Sequence, residues 1–380
     1  MGDLLQRVEN QIQNRRLLKR GQKILAAVSG GLDSMVLLHV LDSLSRKSRW
    51  KISVAHFNHR LRGCAGDADE KLVRKMAAKM KLPIVVEGAD VKEYARKSKL
   101  SVEMAARKLR HEFFARAARE QGIQTVALAH HADDQIELFF LRLLRGAGGV
   151  GLAGMKWQSP SPADRKILLV RPLLDFSKSE LKEFARENKI KFWQDATNFS
   201  SGFLRNRIRN ELLPLLRKNY QPGLNKAVLR LMEIVGAESD FVGEAAGRFC
   251  GSGGEAAHSK MSRSRLTSAA AKINFENLPI VIQRRVLQSH LANAGIAADF
   301  DLIESLRQTP RQFVSVGANI SVARNDSGEI KLRTESNLEF SAEELAVKLA
   351  GRAGQMDFGG RKFKWKTKAE SGKRKAGIHQ

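Results

Sequence analysis

KILAAVSGGLDSMVLL, residues 23–38, is the stretch whose reading decides the fold. Lys23 to Val28 is a short apolar run with the length of a buried strand. Ser29-Gly30-Gly31 ends it, and from Ser34 to Leu44 the residues Val36, Leu37, Val40 and Leu41 recur at helical spacing. Strand, glycine turn and helix in succession open a layered α/β domain. The turn also carries chemistry. Two glycines let the backbone bend sharply and bring N–H groups close to a ligand. The helix N-terminus behind them offers unpaired donors and a partial positive charge. Ser29, Gly30, Gly31, Leu32, Asp33 and Ser34 therefore form a candidate phosphate cradle. Its serines add hydroxyls, and Asp33 can hold a magnesium ion against phosphate oxygens. The lysine of a GxxxxGK[ST] loop is missing, so this is no Walker loop. A plain strand-to-helix turn capped by Ser34 is the bland alternative.

Working outward, a first helix is expected over Leu4 to Leu18. Strand candidates return at Ile52–Phe57, Ile84–Glu87 and Thr125–Ala129, with helical patterns between them at Asp67–Met80 and Ser101–Gln121. This alternation predicts a Rossmann-like parallel sheet with helices on both faces. SKSELKEFARENK, from Ser177, reads as a capped helix, and another is expected over Arg205–Arg217. Asn219-Tyr220-Gln221-Pro222-Gly223 then punctuates the chain. Residues 224–247 and 278–308 read as helical, with a loose Gly/Ser/Ala-rich connector over Cys250–Ala271. Alternation in Phe313–Arg324 and Glu329–Arg333 predicts a hairpin. The last 22 residues, from Gly359, hold eight Lys or Arg against one Glu, a basic tail. The expected division is 1–218, an α/β catalytic domain; 219–310, a helical domain; and 311–380, a small β-containing basic unit.

Composition bounds the function. A chain of 380 residues implies two or three domains, and 43% hydrophobic with 28% charged residues excludes wholesale disorder. Cys64 and Cys250 are the only cysteines, which excludes a disulfide framework and a four-cysteine metal site and suits a reducing cytosol. Neither a signal-peptide pattern nor an 18-residue apolar run is present, so a soluble, cytoplasmic protein with no membrane partner is expected. Lys plus Arg reaches 66 against 40 Asp plus Glu, a net charge of +26 that favours a polyanionic partner, RNA or DNA. With only two Tyr and four Trp, an extended stacking platform is not expected, and phosphate contacts should dominate.

Polar residues gather where the strands should end. His130, Asp134 and Glu137 are spaced i, i+4, i+7, one stripe on the helix after Thr125–Ala129, with Asp133 as its expected N-cap. The C-terminal ends of parallel strands are where ligands bind, so a proton acceptor and two carboxylates can converge there. A solvated helix start remains the alternative. Glu103, Arg107 and Arg110 repeat the same spacing. Glu103 and Arg107 can be a surface pair, whereas an arginine beside a phosphate loop can stabilise charge on phosphates. His56-Phe57-Asn58-His59-Arg60 ends the second strand and suits either a ligand contact or a structural histidine. Gly146 to Gly151 satisfies GxGxxG but follows a helix instead of a strand, which argues against a dinucleotide site.

SGGLDS between strand and helix resembles the PP-loop ATP pyrophosphatases. Within them, HFNHRLRG at 56–63, SVEMAARKLRHEFF at 101–114, AHHADDQIE at 129–137, LRLLRGAG at 141–148, RPLL at 171–174, WQDATN at 193–198 and RNRIR at 205–209 are together similar to the tRNA(Ile)-lysidine synthetases. The resemblance spans roughly residues 20–217. One departure is Leu138, where threonine is common. The resemblance implies that ATP adenylates the wobble cytidine of an isoleucine tRNA with anticodon CAU and that free L-lysine displaces AMP to give lysidine, changing codon reading from AUG to AUA. By motif, Asp33 and Glu137 would hold magnesium, and Arg110 and His130 would contact the activated intermediate. Asp134 would serve the lysine amine, and the loop with His56 would bind ATP. Arg205, Arg207 and Arg209 would be tRNA contacts. A homodimer stays open. Thiolating relatives generally need catalytic cysteines or an iron–sulfur cluster, and no CxxC is present here. A non-catalytic RNA-binding relative would be favoured if Asp33, Arg110 or Asp134 were missing.

Overall fold

A computed structural model describes residues 3–61, 64–193, 204–249, 274–317, 319–334, 353–358, 361–368 and 375–379. The connector Cys250–Ala271 and Gln194–Asn198 of the WQDATN motif lie outside them. The chain forms two compact units, Met1–Phe241 and Val242–Gln380.

The first unit begins α1 (Asp3–Asn14), β1 (Lys23–Ala27), α2 (Leu32–Ser48), β2 (Lys51–Asn58), α3 (Cys64–Met80), β3 (Ile84–Gly88), α4 (Val91–Lys97), α5 (Val102–Glu120), β4 (Thr125–Ala127) and α6 (Ala132–Leu143). It continues through α7 (Gly149–Leu152), β5 (Gln158–Pro160), β6 (Leu168–Val170) and α8 (Lys178–Glu187). Then come α9 (Leu204–Arg207), a π-helical turn over Ile208–Leu212, α10 (Leu213–Asn219) and α11 (Leu224–Phe249), within which the division falls. The six strands lie in the order β3-β2-β1-β4-β6-β5, every neighbouring pair parallel except β5 with β6. β1 is buried on both faces. Ile24 and Ala26 join the cluster made with Met35, Leu38, Leu41, Leu181 and Phe184 of α2 and α8, while Leu25 joins Phe113, Phe114 and Ala118 of α5. That is why its sequence is a continuous apolar run instead of an alternating one. After β3 the chain returns to the other side of β1, so β1 and β4 flank the point where the strand order reverses. The crevice beyond their C-terminal ends is where such sheets bind ligands.

Local chemistry sets the helix ends. Ser101 accepts from the Met104 N–H at 3.2 Å. Ser177 and Glu180 cap each other's backbone N–H groups, at 3.3 and 2.8 Å, the box implied by the SKSE string. One expectation is corrected, and two features have no signal in the sequence pattern. The helix expected over Arg205–Arg217 runs without a gap from Leu204 to Asn219 but winds through a π turn just before Pro214. The helical stretch 278–308 is two helices, α12 (Ile280–Asn293) and α13 (Phe300–Gln308), parted at Gly295 with φ +75°. The edge pair β5–β6 went unread because three-residue strands carry no periodicity.

The second unit packs Phe275, Val286, Leu287, Leu291, Leu306 and Val322 into its own core. The expected hairpin is a three-stranded antiparallel sheet of β7 (Val314–Gly317), β8 (Ile320–Arg324) and β9 (Ile330–Thr334). A second antiparallel sheet joins β10 (Ala353–Phe358), β11 (Arg361–Lys368) and β12 (Lys375–His379) within the basic segment. Among the described residues no helix is long and apolar enough to cross a membrane.

Candidate active site

The turn after β1 requires glycine at its first glycine position. Gly30 has φ +93°, and a Cβ there would lie 3.3 Å from the Asp69 side chain. The α2 helix starts at Leu32 with Gly31 as N-cap, so Ser34 is no cap. Its hydroxyl instead accepts from the Ser29 N–H at 3.1 Å and donates to the Gly31 carbonyl at 2.9 Å, bracing the loop across its mouth. The first N–H groups of α2 have no acceptor within the helix and face the cradle. A cavity of about 450 Å³ opens here, lined by the loop, His56, Arg110, His130 and Trp193 among others. His56 is buried, with Nδ1 2.8 Å from the Val28 carbonyl and Nε2 without a partner. Burial holds its pKa below the ordinary value, so the ring is neutral and Nε2 is an acceptor.

The start of α6 brings the acids to this loop. The N-cap is His131, a correction to Asp133, and the His131 N–H donates to Asp134 Oδ2 at 3.2 Å. Asp133 instead accepts from the Lys178 N–H at 2.8 Å, tying α6 to α8. His131 was absent from the predicted stripe, yet it sits at the centre. It is 2% exposed, with Nε2 3.5 Å from Asp33 Oδ2 and 3.6 Å from Asp134 Oδ2, and Nδ1 3.9 Å from Asp133 Oδ2. Burial opposes its charge, but the carboxylates of Asp33, Asp134 and Asp133 outweigh burial and raise its pKa. Burial likewise favours protonation of Asp134, and the positive charge of His131 and Arg205 reverses that, keeping the carboxyl ionised. Asp33 has one buried oxygen, Oδ1, without a partner. An unpartnered carboxylate oxygen beside a phosphate cradle is a fitting ligand for magnesium, which takes one or two carboxylates and completes its shell with phosphate and water.

Arg205 and Arg209, one helical turn apart, reach the stripe. Arg205 bonds Asp134 Oδ1 at 2.8 Å and Glu137 Oε2 at 2.9 Å, and Arg209 holds both Glu137 oxygens. Glu137 is only 2% exposed, a charge that burial tolerates because two guanidiniums meet it. Arg207, on the opposite side of that turn, is exposed beside Glu211 at 3.7 Å. The signal was legible: acids at i and i+3 on one segment, bases at i and i+4 on another.

The opposite wall is basic. Burial, with Arg107 and Arg205 nearby, pushes Arg110 down to about 10. Burial also holds His130 well below its ordinary pKa, with Arg171 and Arg110 opposing its charge and Asp134 favouring it, so the ring is neutral. Arg171 of the RPLL motif is 6% exposed and donates to the Lys156 carbonyl at 2.7 Å and to Ser159 Oγ at 3.1 Å. Glu103 and Arg107 are both exposed, with no ion pair between them. The Trp193 N–H donates to the Gly30 carbonyl at 3.1 Å, and Trp193 bridges Gly31 in parallel register.

The cradle, acids and bases just described fall within residues 4–216, which match the family model of the PP-loop domain. The chain is 43% identical over 219 residues to a tRNA(Ile)-lysidine synthase of Geobacter sulfurreducens, covering 58% of this chain and 45% of that protein. To those of Petrotoga mobilis and Clostridium acetobutylicum it is 39% and 35% identical, covering 59% and 62% of this chain and 69% and 50% of theirs. It thus spans about half the length of most of the curated relatives it matches. Among solved structures, a U34-tRNA thiolase from Methanococcus maripaludis with its [4Fe-4S] cluster superposes with a TM-score of 0.50 at 16% identity, over 61% of this chain and 78% of that one. That likeness is one of fold.

Proposed function

The chain belongs to the PP-loop domain family, and from that premise we propose that it is a tRNA(Ile)-lysidine synthetase. It would join free L-lysine to carbon 2 of the wobble cytidine in an isoleucine tRNA with anticodon CAU, consuming ATP in the cytoplasm. The observation that carries the reading is Asp33 of the phosphate loop and Asp134 of α6 meeting on one buried imidazole, His131. Nucleotide activation and amine attack need these two groups side by side.

Ser29 to Ser34 would cradle the ATP phosphates, with the α2 N–H groups and His56 fixing the nucleotide. Asp33 and Glu137 would hold magnesium, whose charge would neutralise the phosphates. Oxygen 2 of the cytosine attacks the α-phosphorus and pyrophosphate leaves. Arg110, with no carboxylate partner, faces that reaction and stabilises the negative charge that develops. The lysine ε-amine then attacks carbon 2, and AMP leaves with the oxygen. An ammonium is no nucleophile, so its proton must be removed. Asp134 is ionised, holds the ammonium, and accepts a proton as the new C–N bond lowers the nitrogen's basicity. Neutral His130 is a second acceptor beside it. Beyond the catalytic domain, the helical stretch 219–310 and the basic unit 311–380 would grip the tRNA, with Arg207 the exposed member of the 205–209 trio.

The test is to incubate the protein with total tRNA, ATP, magnesium and labelled lysine, then digest to nucleosides. Label in a modified cytidine supports the reading. Label recovered only as an aminoacyl ester sinks it.

A further inference from the structure

We infer that Trp193 is the platform on which the wobble cytosine stacks while it is activated, a role that rests on the proposed cytidine chemistry. A base that is to meet the α-phosphorus must first leave the anticodon stack, at a cost of a few kcal/mol that the enzyme has to offset. An aromatic face does this without reading sequence. Three large aromatic side chains line the cavity. Phe57 and Phe114 are spent in the core, 7% and 4% exposed, whereas Trp193 is 54% exposed.

Its position is fixed by main chain. The hydrogen bond to the Gly30 carbonyl and the bridge to Gly31 hang Trp193 on the two glycines of the phosphate cradle. The main chain of Trp193 is thereby tied to the phosphate cradle itself. The same placement argues against adenine as its ligand. The buried apolar lining of the cavity, Val28, Phe57 and Leu128, suits the adenine better. An open aromatic face at the mouth suits a base arriving from solvent on a macromolecule.

Trp193→Ala and Trp193→Phe separate the roles. With steady-state pyrophosphate release as readout, Trp193→Ala should raise KM for tRNA about tenfold to a hundredfold, as losing one base–aromatic stack does. KM for ATP should stay within about twofold, which also shows that the site is folded, and Trp193→Phe should recover most of the loss. In parallel, an anticodon stem–loop should quench a component of tryptophan fluorescence that Trp193→Phe lacks, and an abasic wobble position should not. Quenching by ATP alone, or a raised KM for ATP, would assign the indole to adenine and overturn the inference. So would unchanged kinetics in Trp193→Ala. If the wild type releases pyrophosphate equally with wobble cytidine and wobble uridine, the proposed function fails, whatever Trp193 does.

Discussion

Gly30 and His131 illustrate how far one side chain controls this site. At Gly30 the left-handed φ and the Asp69 side chain 3.3 Å from any Cβ act together. Gly30→Ala should therefore cost about 1–3 kcal/mol, seen as a lower melting temperature. It should also weaken ATP binding, measured by calorimetry, because the loop must shift to relieve the clash. His131 separates three carboxylates that would otherwise repel. His131→Ala should cost about 3–5 kcal/mol, the range for breaking a buried charge network. Lysidine formation should drop by about a hundredfold or more even where melting shows the protein folded. An unchanged rate in folded protein would show that Asp33 and Asp134 keep their places unaided. Sequence reading placed Asp33, Asp134 and Glu137 in the candidate site but passed over His131, because a histidine beside a histidine has no spacing to distinguish it. Its burial against Asp33, nearly 100 residues earlier in the chain, exists only after folding.

Elements succeed or fail by how strongly their patterns repeat. α2, α5 and α8 were legible because apolar periodicity marks each of them, with serine caps agreeing at α5 and α8. The π turn at 208–212 was not, since nothing in its apolar pattern distinguishes it from a regular turn. Arg205 just before it and Arg209 within it both reach the acids of α6. In the second unit, Glu304 of α13 is clamped by Arg284 of α12 at 2.6 Å and by Arg307 at 2.9 Å. Hydrogen bonds from these guanidiniums hold its pKa down to about 2, against an ordinary 4.5. A depressed carboxyl stabilises the fold above its unfolded pKa and loses that contribution as pH falls through the folded one. Glu304→Gln should thus lower the melting temperature of the second unit modestly at neutral pH, the pair being near the surface. The gap from wild type should close between about pH 4.5 and pH 2. A gap independent of pH would show that shape, not charge, is what Glu304 supplies.

At the scale of the whole chain the dominant quantity is a net charge of +26. The eight Lys and Arg after Gly359 lie largely on β11 and β12, so truncation would remove strands along with charge. Replacing those eight by Gln tests charge alone. tRNA affinity at low salt should fall by at least about tenfold, and the plot of log K against log salt should become shallower. Filter binding or fluorescence anisotropy at several salt concentrations reads both, and an unchanged slope would remove this segment from the RNA footprint. Charge, the parallel α/β sheet and the phosphate loop were determined by sequence alone, because each depends on local composition or on a pattern repeating within a few turns of chain. The meeting of Asp33 with His131, of Arg205 and Arg209 with Glu137, and of Trp193 with the cradle was decided only by tertiary structure. Each joins segments some 70 to 160 residues apart. No local rule reaches that far; the order of strands in the sheet does.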